Sequence, residues 1–155
     1  MRALFVAAAL ALALGTAGCA KSFDVKTAPG FVEVKEDGSA YDYRAVAPDG
    51  VAVAVRTVKI DEKTDLAFWK SAVMLRMREM DGYAKVSATD VKSADGTPGR
   101  ELVFGHDEAG KPYVYRVRIF VRKTKLVMAE AGGSAENMER WKPGVESMLA
   151  SVSMD

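Results

Sequence analysis

The sequence predicts an α+β domain, in which two main helices pack on an antiparallel sheet of about six strands. Three observations support this prediction. Asp-Gly pairs separate short apolar runs, a later run alternates between apolar and polar residues, and two segments show the three-and-four spacing of a helix. Along the chain, strands come first and are followed by a helix, further strands and a final helical segment.

Asp-Gly pairs separate the first three apolar runs. Asp37-Gly38 lies between residues 31–34 and 41–47, and Asp49-Gly50 lies between residues 41–47 and 51–58. Both residue types tolerate positive φ, so an Asp-Gly pair favours the tight turn of a hairpin. We therefore expect three antiparallel strands in this part of the chain. Further strands are expected at residues 100–104, 113–122 and 126–131.

Residues 113–122 show the clearest alternation. One face begins with Tyr113 and Tyr115 and continues with aliphatic residues, whereas the other face carries Arg116, Arg118 and Arg122. This pattern is typical of an antiparallel sheet with one covered face and one wetter face.

These five residues form a possible interaction surface. The arginines would contact anionic lipid headgroups or an acidic partner. The tyrosines, together with Tyr41 and Tyr43, would line a shallow recognition surface. Plainer interpretations stay open: a solvated face, arginine stems that lie under a helix opposite acids such as Glu101, or tyrosines that bridge core and water.

Residues 65–80 are expected to form the first helix, which Asp81-Gly82 then ends. Its apolar stripe consists of Leu66, Trp69, Val73, Met77 and Met80. The methionines at 74, 77 and 80 would offer thioethers to copper(I). Because residues three apart drift around a helix, we interpret these methionines as core filling.

The final helical segment begins after Ser134, a favourable N-cap residue. Pro143 lacks a backbone N–H and is expected to divide the segment into helices over residues 135–141 and 143–151. The side chains expected to face the sheet are Val145, Met148, Leu149 and Val152.

The sequence favours no catalytic or metal site. His106 is the one histidine of the chain and stands beside Asp107 and Glu108, but three consecutive strand residues rarely converge on one ion. Residues 107–110 are better explained as a hairpin turn. A serine nucleophile needs a base and an orienting group, which this composition hardly supplies. We therefore predict no enzyme, no cofactor and no metal.

The charge balance argues against nucleic-acid binding. The chain has 22 basic and 21 acidic residues, and one of the basic residues is Arg2, which lies in the leader described next. Nucleic-acid binding depends on the release of counterions from many phosphates and needs a basic surface.

The first residues have the pattern of a secretory leader. Arg2 is followed by an apolar stretch over residues 3–14, by small residues at 15–18 and by Cys19, the one cysteine of the chain. This junction resembles a bacterial lipobox, except that Thr16 stands where leucine is usual. The resemblance implies a signal peptide over residues 1–18 and a lipidated Cys19. Ala20 after that cysteine implies the outer membrane.

The remaining chain divides into a tether and one domain. Residues 19–29 are mostly polar and end at Pro29-Gly30, so we expect a lipidated N-terminus and tether there. Residues 30–155 are long enough for a single α+β domain that needs no disulfide or metal for stability.

Several short segments of this domain resemble the PsbP-like fold of the DcrB/PsbP superfamily. They are Pro29-Gly30-Phe31, Phe68-Trp69, Gly82-Tyr83, Gly99-Arg100-Glu101, a tyrosine-rich strand, Glu130-Ala131-Gly132 and a terminal helix. Photosystem II lumen subunits, bacterial lipoproteins and a yeast Ran-binding import factor share that fold. The resemblance implies a sandwich of helices on a sheet that acts as a non-enzymatic interaction or assembly module.

We therefore expect a lipid-anchored lipoprotein of the cell envelope that faces the periplasm. It would bind the membrane through Cys19 and an envelope protein through its domain. The alternative is a periplasmic binding protein that holds a small apolar ligand between helix and sheet. A hydrolase is the least favoured interpretation.

Overall fold

The computed structural model of the protein describes residues 22–79 and 82–154. The predicted leader, Cys19, Met80 and Asp81 lie outside the described residues. In chain order the elements are β1 (Phe23–Asp24), β2 (Val32–Glu33), β3 (Tyr43–Val46), β4 (Ala52–Lys59), α1 (Leu66–Glu79), β5 (Ala84–Lys92), β6 (Pro98–Glu108), β7 (Lys111–Arg122), β8 (Lys125–Ser134), α2 (Ala135–Arg140), α3 (Lys142–Ser151) and β9 (Ser153–Met154).

Seven strands form one antiparallel sheet in the order β2-β3-β4-β8-β7-β6-β5. β1 and β9 pair separately with each other. The helices pack on the sheet, so the predicted α+β class is confirmed. None of the helices within the described ranges has the length and apolar character that crossing a bilayer requires.

The hairpin turns occur where the sequence predicts them. Gly50, between β3 and β4, has a φ of 84°. Ala109 and Gly110 have φ values of 52° and 78° and join β6 to β7, which confirms the predicted turn at residues 107–110. Positive φ at both central residues matches the right-handed twist of the two strands.

Each face of the sheet packs against a helix layer. Val117 and Ile119 of β7 are fully buried in the core beneath α1, together with Met77. Phe120, one position further, is fully buried in the core on the opposite side, which the last helices cover. This differs from the predicted wetter face, because α3 lies over the arginine side of β7.

The final helical segment matches its prediction. The Ser134 hydroxyl accepts a hydrogen bond from the Asn137 backbone N–H at 3.3 Å and caps α2. Pro143 lies in the first turn of α3, where its missing N–H leaves no helical bond unmade. The residues predicted to face the sheet, Val145, Met148, Leu149 and Val152, are each 0% exposed.

β5 has no counterpart in the predicted strands. It spans nine residues at one edge of the sheet, and most of its side chains are exposed. An edge strand with polar residues on both faces lacks apolar alternation, which is the signal that identifies half-buried strands.

Residues 23–29, which the sequence assigns to the tether, belong to the folded domain. Phe23 pairs with Met154 in the two-stranded sheet and is 2% exposed. Ala28 is also buried in the same core, and Val25 packs against it. The alternation of Phe23 and Val25 with Asp24 was too short to predict a strand.

Candidate functional site: the α1 face

Among the described residues, four of the six large apolar side chains that are exposed lie on or beside α1, and the other two are Val32 and Val86. Phe68 and Leu75 on the helix are 52% and 55% exposed. Val58 and Tyr41 are 37% and 36% exposed and line a groove beside the helix. Clustered exposed apolar groups mark interaction sites more often than single ones do. We call this side of the sheet, with its helix, the α1 face.

The first groove lies between α1 and strands β4, β7 and β8, and has a volume of about 700 Å³. Its apolar walls come from Trp69, Val73 and Met77 on the helix and from Val58, Leu126 and Met128 on the sheet. The indole N–H of Trp69 donates to the Thr64 hydroxyl at 3.1 Å, which holds the ring at the entrance of the helix.

The floor of the first groove is polar. Arg56 Nε lies 2.8 Å from Glu130 Oε1, where the two groups form an ion pair without hydrogen-bond alignment. The Tyr41 hydroxyl donates to Glu130 Oε2 at 3.2 Å. The Glu130 side chain is 7% exposed and that of Arg56 is 35% exposed. The buried carboxylate therefore depends on its partners, whereas the guanidinium also reaches water.

Two tyrosine hydroxyls in this groove remain protonated. Burial, together with the negative charge of Glu130, raises the pKa of Tyr115 and of Tyr41 above the usual value. Each hydroxyl therefore keeps its proton, which it directs to Glu130, and does not act as a base. The floor thus has donors and acceptors with nearly balanced charge.

Described residues that the sequence analysis considered for metal binding make structural contacts. His106 packs against the Tyr83 ring at a centroid distance of 5.0 Å. Over residues 22–79 and 82–154, no three His, Cys, Asp or Glu side chains are grouped to hold a metal ion. Met77 is buried in the core beneath α1, and Met74 packs against that core. The first groove is an apolar cleft with a polar floor.

A second groove lies on the other side of α1. It has a volume of about 380 Å³ and is bounded by α1, β5 and β6. Met74, Leu75 and Phe104 supply its apolar lining. Its polar lining consists of Lys70, Ser71, Arg78 and Lys85.

Two of the predicted interaction residues, Arg116 and Arg118, form ion pairs beneath α3. Arg116 and Arg118 contact Glu101 at 2.9 Å and 2.7 Å, and Arg116 also contacts Glu146 at 2.7 Å. Their side chains are 13% and 10% exposed. Burial opposes the charge of Glu146, but the two arginines outweigh it and lower the pKa of that carboxyl.

The remaining predicted interaction residues divide between two places. Arg122 bonds to Asp95 and donates to the Met154 carbonyl at 2.8 Å, so it joins the β5–β6 turn to β9. Tyr115 lines the first groove on the opposite face, and Tyr113 belongs to the same tyrosine face. The five residues therefore do not share one surface. Whether any of them binds a partner stays a prediction.

Neither Arg56 nor Glu130 was predicted as a site residue, and Glu130 was noted only within the Glu130-Ala131-Gly132 segment. Each is a single charged residue within an otherwise apolar strand segment, Ala52–Val55 before Arg56 and Leu126–Ala131 around Glu130. A lone charge in a buried strand is a usable signal, because a buried charge requires a partner. Tyr41 and Tyr115, in contrast, were both predicted to line a recognition surface.

No known sequence family and no curated protein matches this chain. Solved structures do match it. LpqN, involved in cell envelope biogenesis of Mycobacterium tuberculosis, aligns with a TM-score of 0.72 and 11% identity over 85% of this chain and 82% of its own.

Two further structures cover the same domain. Cyanobacterial PsbP from Synechocystis sp. PCC 6803 aligns with a TM-score of 0.58 and 13% identity over 92% of this chain and 99% of its own. The Saccharomyces cerevisiae Ran-binding protein Mog1p aligns with a TM-score of 0.60 and 11% identity over 86% of this chain and 90% of its own. The described domain therefore has the PsbP-like fold that the sequence predicts.

Proposed function

We propose that this protein is a lipid-anchored, non-catalytic interaction module of the cell envelope, which supports assembly or stability of an envelope complex. The observation that carries the proposal is the concentration of exposed apolar side chains on the α1 face, around Phe68 and Leu75. LpqN, which has the same fold, is involved in cell envelope biogenesis, and Mog1p binds Ran; both descriptions agree with a binding role.

In this proposal, a lipidated Cys19 anchors the protein in the outer membrane, and the folded domain faces the periplasm. Because β1 begins at Phe23, residues 20–22 are what remains to connect the cysteine to the folded domain. Three extended residues reach about 10 Å. The domain would therefore lie against the membrane surface, and a partner would have to be membrane-associated or close to the bilayer.

Fractionation of Cys19→Ser cells tests the anchor. Wild-type protein should sediment with membranes and carry acyl chains by mass spectrometry, whereas the variant should be released into the soluble fraction. An unacylated wild-type N-terminus, or a variant that still sediments with membranes, would show that Cys19 is not the attachment point.

Site-specific photocrosslinking in intact cells tests the interaction face. A photoreactive residue at Phe68 or Leu75 should yield a discrete protein adduct. The same residue at Glu139, which is exposed on α2 on the opposite side of the sheet, serves as the control. Equal adducts at both sites, or none on α1, would argue against the α1 face.

A small apolar ligand is the second candidate, and the first groove favours it. A volume of about 700 Å³ with apolar walls and a few convergent polar groups is typical of ligand sites. Organic extraction of purified protein followed by mass spectrometry should then recover a stoichiometric small molecule. Ala72→Trp, which fills the groove, should abolish that recovery, and Ala67→Trp, at an exposed position of α1, should not.

A further inference from the structure

We propose that the second groove and the outer edge of β5 together bind an extended segment of a partner protein that carries acidic and apolar residues two positions apart, on the same face of the strand. This inference rests on the proposed interaction role and deepens it, because it assigns the partner's chemistry and its binding mode. The partner segment would add an eighth strand to the seven-stranded sheet.

Within residues 22–79 and 82–154, no strand pairs with the outer edge of β5. β5 pairs with β6 on one side and is the last strand of the sheet order. Its other side presents backbone N–H and C=O groups along nine residues. A partner strand would bond to these groups whatever its side chains, so specificity must come from the neighbouring surface.

That surface is the second groove. Lys85 of β5 is paired with Phe104 of β6, and directly opposed residues point to the same face of a sheet. Lys85 therefore lies on the α1 face, where it lines the groove with Lys70 and Arg78. Alternate side chains of an added strand would project over this face beside the groove.

The charge of the second groove selects the partner. Three cations line it, and no described residue contributes a carboxylate to the lining. Arg78 has Glu79 as a neighbour at 3.7 Å, but both side chains are largely exposed, so this pair neutralises the groove little. Carboxylates on the incoming strand would complement the cations, and an apolar side chain would pack on the exposed Leu75.

The same features disfavour a second copy of this chain. Lysine side chains protect an edge strand from pairing with its own copy, and β5 carries Lys85 and Lys92. A second β5 would carry its own Lys85 and Lys92 to the shared edge and would place another basic groove on the same face. An acidic strand removes this repulsion.

Selection from a displayed library of random ten-residue peptides tests the proposal, with the full chain in mild detergent as bait. We expect enriched peptides in which Asp or Glu lies two positions from an apolar residue, so that both side chains point to the same face of the strand. Their dissociation constant, measured by fluorescence anisotropy, should rise at least tenfold for the double variant K85E and R78E. The charge-matched control, K35E and K111E, changes two exposed lysines outside the groove and should bind like wild type.

Hydrogen exchange distinguishes strand addition from simple charge attraction. On peptide binding, outward-facing amides of residues 84–92 should exchange at least tenfold more slowly. No acidic enrichment, equal binding by the two double variants, or unprotected β5 amides would each overturn the proposal. These measurements do not depend on Cys19, so a failed anchor test and a failed docking test remain distinguishable.

Discussion

At the scale of single residues, the ion pair of Arg56 and Glu130 at the floor of the first groove predicts that removing one partner costs more stability than removing the other. Arg56→Met leaves the Glu130 carboxylate buried without its cation and should cost about 2–4 kcal/mol of unfolding free energy. Glu130→Gln leaves Arg56 in partial contact with water and should cost about 1 kcal/mol. Urea unfolding of both variants measures the difference. Equal costs would mean that Glu130 is hydrated.

Asp95 predicts a pH dependence. Hydrogen bonds from the Ser93 hydroxyl and the Met154 backbone N–H, with further ones from Thr97 and Arg122, hold the pKa of this carboxyl well below its usual range. A folded-state pKa below the unfolded value of about 3.9 contributes stability that is complete above that value. The contribution is lost as the pH falls toward the folded-state pKa.

Asp95→Asn should therefore destabilise the protein by about 1–2 kcal/mol at neutral pH, because charge-assisted hydrogen bonds are lost. The deficit should shrink below about pH 4, where the wild-type carboxyl begins to lose its advantage. Thermal unfolding from pH 2 to 7 provides the comparison. A stability deficit of Asp95→Asn that is constant from pH 2 to 7 would show that the charge of the Asp95 carboxylate does not cause it.

At the scale of elements, the helices were predictable and β5 was not. The apolar stripe from Leu66 to Met77, the Ser134 cap and Pro143 each act within one or two turns, so the local sequence is sufficient to predict them. β5 is held by its pairing with β6, a contact that single-sequence periodicity does not detect.

Strand β6 contains two glycines, Gly99 and Gly105, whose substitution by alanine should affect stability differently. A Cβ added at Gly99 would lie 2.6 Å from the Ile119 carbonyl oxygen and against the Phe120 ring. Gly99→Ala should cost about 1–3 kcal/mol, because a buried ring and the backbone must both move.

Gly105→Ala is the matched control in the same strand. Its Cβ would be 3.5 Å from the nearest atom, a Val86 methyl, which is ordinary contact. This variant should be neutral or more stable by up to about 1 kcal/mol, since alanine loses less backbone entropy on folding. Equal destabilisation of both variants in chemical denaturation would show that the cost of Gly99→Ala does not come from the contact of its Cβ with Ile119 and Phe120.

At the scale of the whole molecule, the fold class was predictable but the sites of contact were not. Alternation in β7 correctly separated Tyr115 from Arg116 and placed them on opposite faces. It carried no information about which helix covers each face. The first groove joins β4, α1 and β7–β8, so its floor depends on strand order, which a single sequence does not specify.

The packing of β1 predicts that the first described residues stabilise the whole domain. Phe23→Ala should lower the unfolding free energy by about 3–5 kcal/mol, as expected for a phenylalanine that is 2% exposed in a core. Lys26→Ala, at an exposed side chain three residues later, is the control and should change little. A neutral Phe23→Ala would mean that residues 23–29 form a tether after all.

The closure of the domain by β1 and β9 also bears on the time course of folding. The Lys26 N–H donates to the Ser151 hydroxyl across 125 positions of the chain. Such distant closure makes folding slow relative to helical proteins of similar size. Native structure around Phe23 must wait until the last residues have been synthesised.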